Sequence, residues 1–145
     1  MNKRIVARCL AVAGSALLIG STQAPLAHAG YRDYLHITSV EIAQLPHFCW
    51  RQFEVPGAEG YEFEMHDCGP LANHYCPGLL YLVRSKGPAA KGKPLNFIKV
   101  ADDNVAYTEK GIAGFPNCSI RQHVEETRAE VNQLLKRYSS KAAPH

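Results

Sequence analysis

The chain is 145 residues long, with 16 Lys and Arg against 13 Asp and Glu, and it carries five cysteines. Three of the basic residues, Lys3, Arg4 and Arg8, and none of the acids precede Gly30, so a chain beginning at Gly30 has thirteen charges of each sign. The basic excess typical of nucleic-acid and anionic-membrane binders is therefore missing from that part of the chain.

Residues 1–29 read as a cleavable export signal: a basic start, an apolar run from Cys9 to Gly20, and Ala27-His28-Ala29 as the small-x-small site. Cleavage after Ala24 is disfavoured because Pro25 would follow the cut. The apolar run is well short of the roughly 20 residues a spanning helix requires, and no later segment approaches that length, so no membrane span is expected. The expected organisation is a signal peptide over 1–29, one helical domain over 30–138 and a flexible tail over 139–145. The expected location is the periplasm or outside the cell.

From Gly30 to Ile37, Tyr31, Tyr34 and Leu35 show no clear period and predict irregular chain. Thr38 and Glu41 fit a capping box that opens a short helix. It should end near Gln44, because Pro46 disfavours helical angles at Leu45 and can open a new turn through Phe48, Cys49 and Trp50. Glu54 to Asp67 holds five acids, and its alternation at Tyr61, Phe63 and Met65 permits a short strand. With no evident partner strand, the segment reads as loop.

Pro70 opens the next helix, with Leu71, Tyr75, Leu79, Leu82 and Val83 at helical spacing, and Pro77-Gly78 should kink it or restart it. After a loop from Gly87 to Lys93, Pro94 opens a helix whose apolar face is Phe97, Ile98, Ala101, Val105 and Ile112, with Gly111 or Gly114 as its stop. Ser119 and Gln122 suggest a second capping box. Beyond it Ile120, Val124, Thr127, Val131, Leu134 and Tyr138 advance by alternating steps of four and three, the single stripe of an amphipathic helix. That helix should pack antiparallel to the one before it.

Four cysteines lie beyond the signal: Cys49, Cys68, Cys76 and Cys118. An even count in a small exported domain reads as two disulfides. Three pairings are open; Cys49 with Cys76 and Cys68 with Cys118 is preferred because it ties the N-terminal half to both later helices. The same cysteines form His-x-Cys pairs with His47, His66 and His74, which raises the alternative of a copper or zinc site built from His66, Cys68, His74 and Cys76. Residues two apart diverge on a helix, so only His66-Asp67-Cys68 in a turn could chelate through both members. A disulfide would also leave no thiolate for either a metal or a nucleophile. Cys68 or Cys76 paired with His66 or His74 as base lies in no familiar catalytic signature. No catalytic residue and no cofactor is expected.

The acids of Glu54–Asp67 are answered by Arg84, Lys86, Lys91, Lys93 and Lys99, a charge asymmetry that suits either solvated loops or a partner. Phe48, Trp50 and Phe53, so close to Cys49, read as core. At Leu45-Pro46-His47-Phe48-Cys49, Asn73-His74-Tyr75-Cys76 and Asp102-Asp103-Asn104-Val105-Ala106-Tyr107-Thr108, the chain resembles a group of exported bacterial proteins with tetratricopeptide-like helical hairpins. The resemblance implies binding of a protein partner rather than catalysis. No second copy occurs at a period of about 34 residues, so one repeat-like hairpin plus a closing helix is expected. The reading as a whole is an all-α bundle of three to four helices with one tetratricopeptide-like hairpin, stapled by two disulfides. Its expected role is a non-enzymatic interaction or structural module.

Overall fold

A computed structural model describes residues 35–58 and 65–141. The export signal, Tyr31 and Tyr34, the centre of the acidic segment at 59–64 and the last four residues lie outside the described residues. Among the described residues there are five α-helices: α1 (Ser39–Ile42), α2 (His47–Gln52), α3 (Tyr75–Lys86), α4 (Pro94–Ile112) and α5 (Arg121–Lys141). There is no strand among the described residues. The all-α, two-disulfide architecture is as expected, and the helix count reaches five because the two turns around Pro46 are each helices.

Local chemistry explains the starts and stops. The Thr38 hydroxyl accepts from the Glu41 amide at 3.2 Å while the Glu41 carboxylate accepts from the Thr38 amide at 2.8 Å, so the expected capping box opens α1. Pro46 directly precedes α2. The Trp50 indole N–H turns back to the carbonyls of Ile42 and Leu45, at 3.1 and 3.2 Å, which ties α2 to the end of α1. Pro77 produces no kink. The chain runs as a 3₁₀ turn over Pro70–His74 and becomes α-helical at Tyr75, so Pro77 falls in the first turn of α3, where its missing donor has no helical partner to lose.

Gly78 serves packing. A Cβ there would stand 3.2 Å from the Asn104 Cβ and 3.4 Å from Val105 Cγ2, so glycine lets α3 lie close against α4. The two run antiparallel, Gly78 meeting Asn104 near one end and Leu82 clustering with Ile98 at the other. Gly111 was expected as a possible stop but lies inside α4, which continues to Ile112. A Cβ at Gly111 would come within 2.4 Å of the Leu71 Cβ, so this glycine admits the 3₁₀ turn against the helix. Gly69 begins that turn with φ of 77°, a left-handed value that disfavours side chains, and Phe115 fills the space beside it.

The α5 stripe is as expected: Ile120, Val124, Thr127, Val131 and Leu134 are all buried and Tyr138 packs beside them. Arg121 at the start of α5 donates to the Ile112 and Phe115 carbonyls, both at 2.8 Å, closing the end of α4 with a cation as the helix dipole prefers. Farther along, Arg128 bridges Asp102 and Glu109 of α4, and Val131 and Leu134 cluster with Ile98 and Ala101. Late residues of α5 thus meet early residues of α4, the antiparallel arrangement expected.

Three sequence expectations change. The α3 stripe omitted Leu80, which is fully buried, because the first half of α3 is enclosed on several sides and not along one stripe. Gln122 reaches forward to Glu126 at 2.9 Å, and the Ser119 amide is held instead by Asp67, whose two carboxylate oxygens accept from the Ser119 N–H at 2.9 Å and hydroxyl at 3.0 Å. Of the tail assigned to 139–145, the first three residues are helical and the last four lie outside the described residues. Ser139 to Lys141 continue α5, with the Ser140 hydroxyl donating to the Arg137 carbonyl at 3.0 Å, so the helical domain extends past 138.

Candidate interaction surface

The cysteines are oxidised in the preferred pairing. Cys49 is bonded to Cys76 with Cα atoms 5.4 Å apart, and Cys68 to Cys118 at 4.5 Å. The first joins α2 to the start of α3; the second joins the 3₁₀ turn His66–Cys68 to the connection ahead of α5. All four are core residues.

The histidines of the three His-x-Cys pairs go to different places. The His47 ring tilts against Trp50 at 4.5 Å, and His66 stands in its 3₁₀ turn beside Asp67. His74 Nδ1 lies 3.2 Å from Asn104 Oδ1, and its ring stacks on Tyr107 at 5.0 Å. Of the alternative metal set, Cys68 and Cys76 are therefore in separate disulfides and His74 faces α4. Among the described residues no group of three or more His, Cys, Asp or Glu converges as a metal would require.

Phe53 is fully buried and Phe48 and Trp50 pack against the same core, as expected for aromatics beside Cys49. The charge asymmetry is partly spent internally. Arg84 pairs with Glu41 at 2.8 Å and also donates to the Leu35 carbonyl at 2.8 Å, which fastens the N-terminal segment to α3. Lys86 pairs with Glu130, and Asp67 is held by Ser119. Glu59, Glu62 and Glu64 lie outside the described residues.

Besides a pocket of about 390 Å³ lined by Arg51, Glu54, Val55 and Ala58, two surface features lie on or beside the long helices. One is a groove of about 350 Å³ between α1 and the end of α3, lined by Val40, Gln44, Val83, Pro88 and Ala89 with the Arg84–Glu41 pair along it. The other is the outer face of α4. Asn96, Lys99, Val100, Asp103, Ala106, Tyr107 and Lys110 are exposed there, and Asp103, Ala106, Tyr107 and Lys110 border a shallow depression of about 240 Å³. Tyr107 is 55 % exposed yet fixed in position by the parallel His74 ring, which Asn104 holds in turn. Asn104 is itself anchored by a 2.8 Å bond from Nδ2 to the Val100 carbonyl.

Sequence reasoning placed Tyr107 only within a resemblance. A local signal was available: Tyr107 follows Val105 by two residues, which puts it about 200° round the helix from the apolar face. A large aromatic so placed must face water or a partner.

Comparison with protein-family models, with curated proteins and with solved structures finds no match to this chain. Two disulfides suit an oxidising compartment, and among the described residues no helix is long and apolar enough to cross a membrane.

Proposed function

We propose that the protein is a non-enzymatic interaction module, exported to the periplasm or beyond, that binds another protein through the outer face of α4 in a tetratricopeptide-like hairpin. The observation that carries this reading is Tyr107, exposed on a rigid helix and held by the stacked His74 ring. Tyrosine supplies a large apolar surface with a polar tip and is enriched among residues that dominate binding energy. Because its ring is already oriented, docking on it costs less conformational entropy than docking on a free side chain.

Site-specific photo-crosslinking in the exporting cell tests the reading. A photoreactive phenylalanine at position 107 should form a covalent adduct with a protein, whereas the same probe at Glu125, an exposed position on α5, should not. If position 107 yields no protein adduct, the reading fails.

A further inference from the structure

The order of side chains along the outer face of α4 is self-complementary. About a point midway between Ala106 and Tyr107, Asp103 is the mirror position of Lys110, and Val100 that of Ala113. All six of these residues are exposed, and all but Ala113 lie within α4. A second α4 laid antiparallel across a two-fold axis at that point brings Asp103 of each copy to Lys110 of the other. It also sets each Tyr107 over the small Ala106 and each Val100 over Ala113. A parallel pair in register would instead oppose Asp103 to Asp103 and Lys110 to Lys110.

Resting on the reading of this face as an interaction surface, we infer that its occupant is a second copy of the same chain, docked as an antiparallel, two-fold α4–α4 dimer. Such an interface is isologous, and one pair of complementary charges used twice fixes its direction. The His74 ring, stacked on Tyr107, broadens the apolar centre of the seam. The balance of thirteen basic and thirteen acidic residues beyond the signal means that copies do not repel one another through net charge. At 1.5 Å per residue the 19-residue helix is only about 28 Å long, so the contact is at the small end for specific interfaces and its dissociation constant falls in the micromolar range.

The test is a charge-swap set followed by sedimentation and light scattering, on protein purified from the oxidising compartment with disulfides verified by non-reducing peptide mapping. The unaltered protein should dimerise. Asp103→Lys and Lys110→Asp alone each place like charges at both mirror contacts and should raise the dissociation constant about tenfold or more. Mixed in equal amounts, the two variants restore both opposite-charge contacts and should form a heterodimer, a result that a misfolded variant cannot give. An unaltered protein that stays monomeric through the micromolar range overturns the inference. So does a dimer indifferent to the swaps. A photo-adduct at position 107 with a different protein, alongside a monomeric chain, overturns the second-copy inference while leaving the interaction reading intact.

Discussion

The Tyr75 hydroxyl lies 2.9 Å from the Thr127 hydroxyl, with both residues buried, so the first turn of α3 and the middle of α5 share a hydrogen bond that water cannot replace. Tyr75→Phe removes the phenol and strands the Thr127 hydroxyl. Thermal denaturation should show a loss of roughly 1–2 kcal/mol, and Tyr75→Phe with Thr127→Val should cost less than the sum of the two single changes.

The same phenol gives an alkaline signature. Burial pushes its pKa up to about 12, the Glu126 charge adds to this and the bond with Thr127 opposes it. The folded state therefore keeps a proton that the unfolded chain releases near pH 10, and this contribution to stability is present below pH 10 and fades as pH rises toward 12. Tyrosinate absorbance should show a late-ionising component, titrating near pH 12 or only with unfolding, that Tyr75→Phe removes.

At the acid end the sensitive group is Glu41. Burial alone would raise its pKa, but the Arg84 hydrogen bond, the Thr38 amide and hydroxyl and the Arg84 charge together hold it below 4.5. A depressed carboxylate contributes stability above its unfolded pKa and loses it as pH falls through the folded value. Stability should thus decline below about pH 4.5, and Glu41→Gln should be less stable at neutral pH and flatter in acid. Chemical denaturation across that range checks both.

Gly111→Ala and Gly114→Ala should behave differently although three residues apart. Alanine favours a helix over glycine by about 1 kcal/mol, yet at position 111 its methyl would meet the Leu71 Cβ at 2.4 Å, and overpacking of this kind costs about 1–3 kcal/mol. Nothing lies within 4 Å of a Cβ at position 114. Gly114→Ala should leave the melting temperature nearly unchanged, while Gly111→Ala should lower it.

Removing the Cys68–Cys118 bond as a double serine substitution should cost about 2–5 kcal/mol, since it closes a loop of 50 residues. Non-reducing mapping should return the two pairs seen here and neither alternative.

What was legible in the sequence was what neighbours in sequence decide. The Thr38–Glu41 box and the α5 stripe depend on residues a turn or two apart, and both form as their spacing implies. Contacts between distant residues were not legible. Ser119 looked like half of a second box, but its amide is taken by Asp67 from 52 residues away, a bond made possible because the adjacent Cys68 and Cys118 are joined. Leu80 and Gly111 are defined by what α4 and the Pro70–His74 turn place against them, which no local period encodes. The candidate surface was half legible: the pattern that puts Val105 inside puts Tyr107 outside, but only the fold lays His74 against it.

The two disulfides interleave in chain order, Cys49 and Cys76 bracketing Cys68 while Cys68 and Cys118 bracket Cys76. Any single break in the backbone between Cys49 and Cys118 therefore leaves both fragments covalently joined, including a break in the acidic segment between α2 and the 3₁₀ turn at His66. A protease that nicks the molecule there releases nothing, and the α4 face stays attached to the rest of the chain.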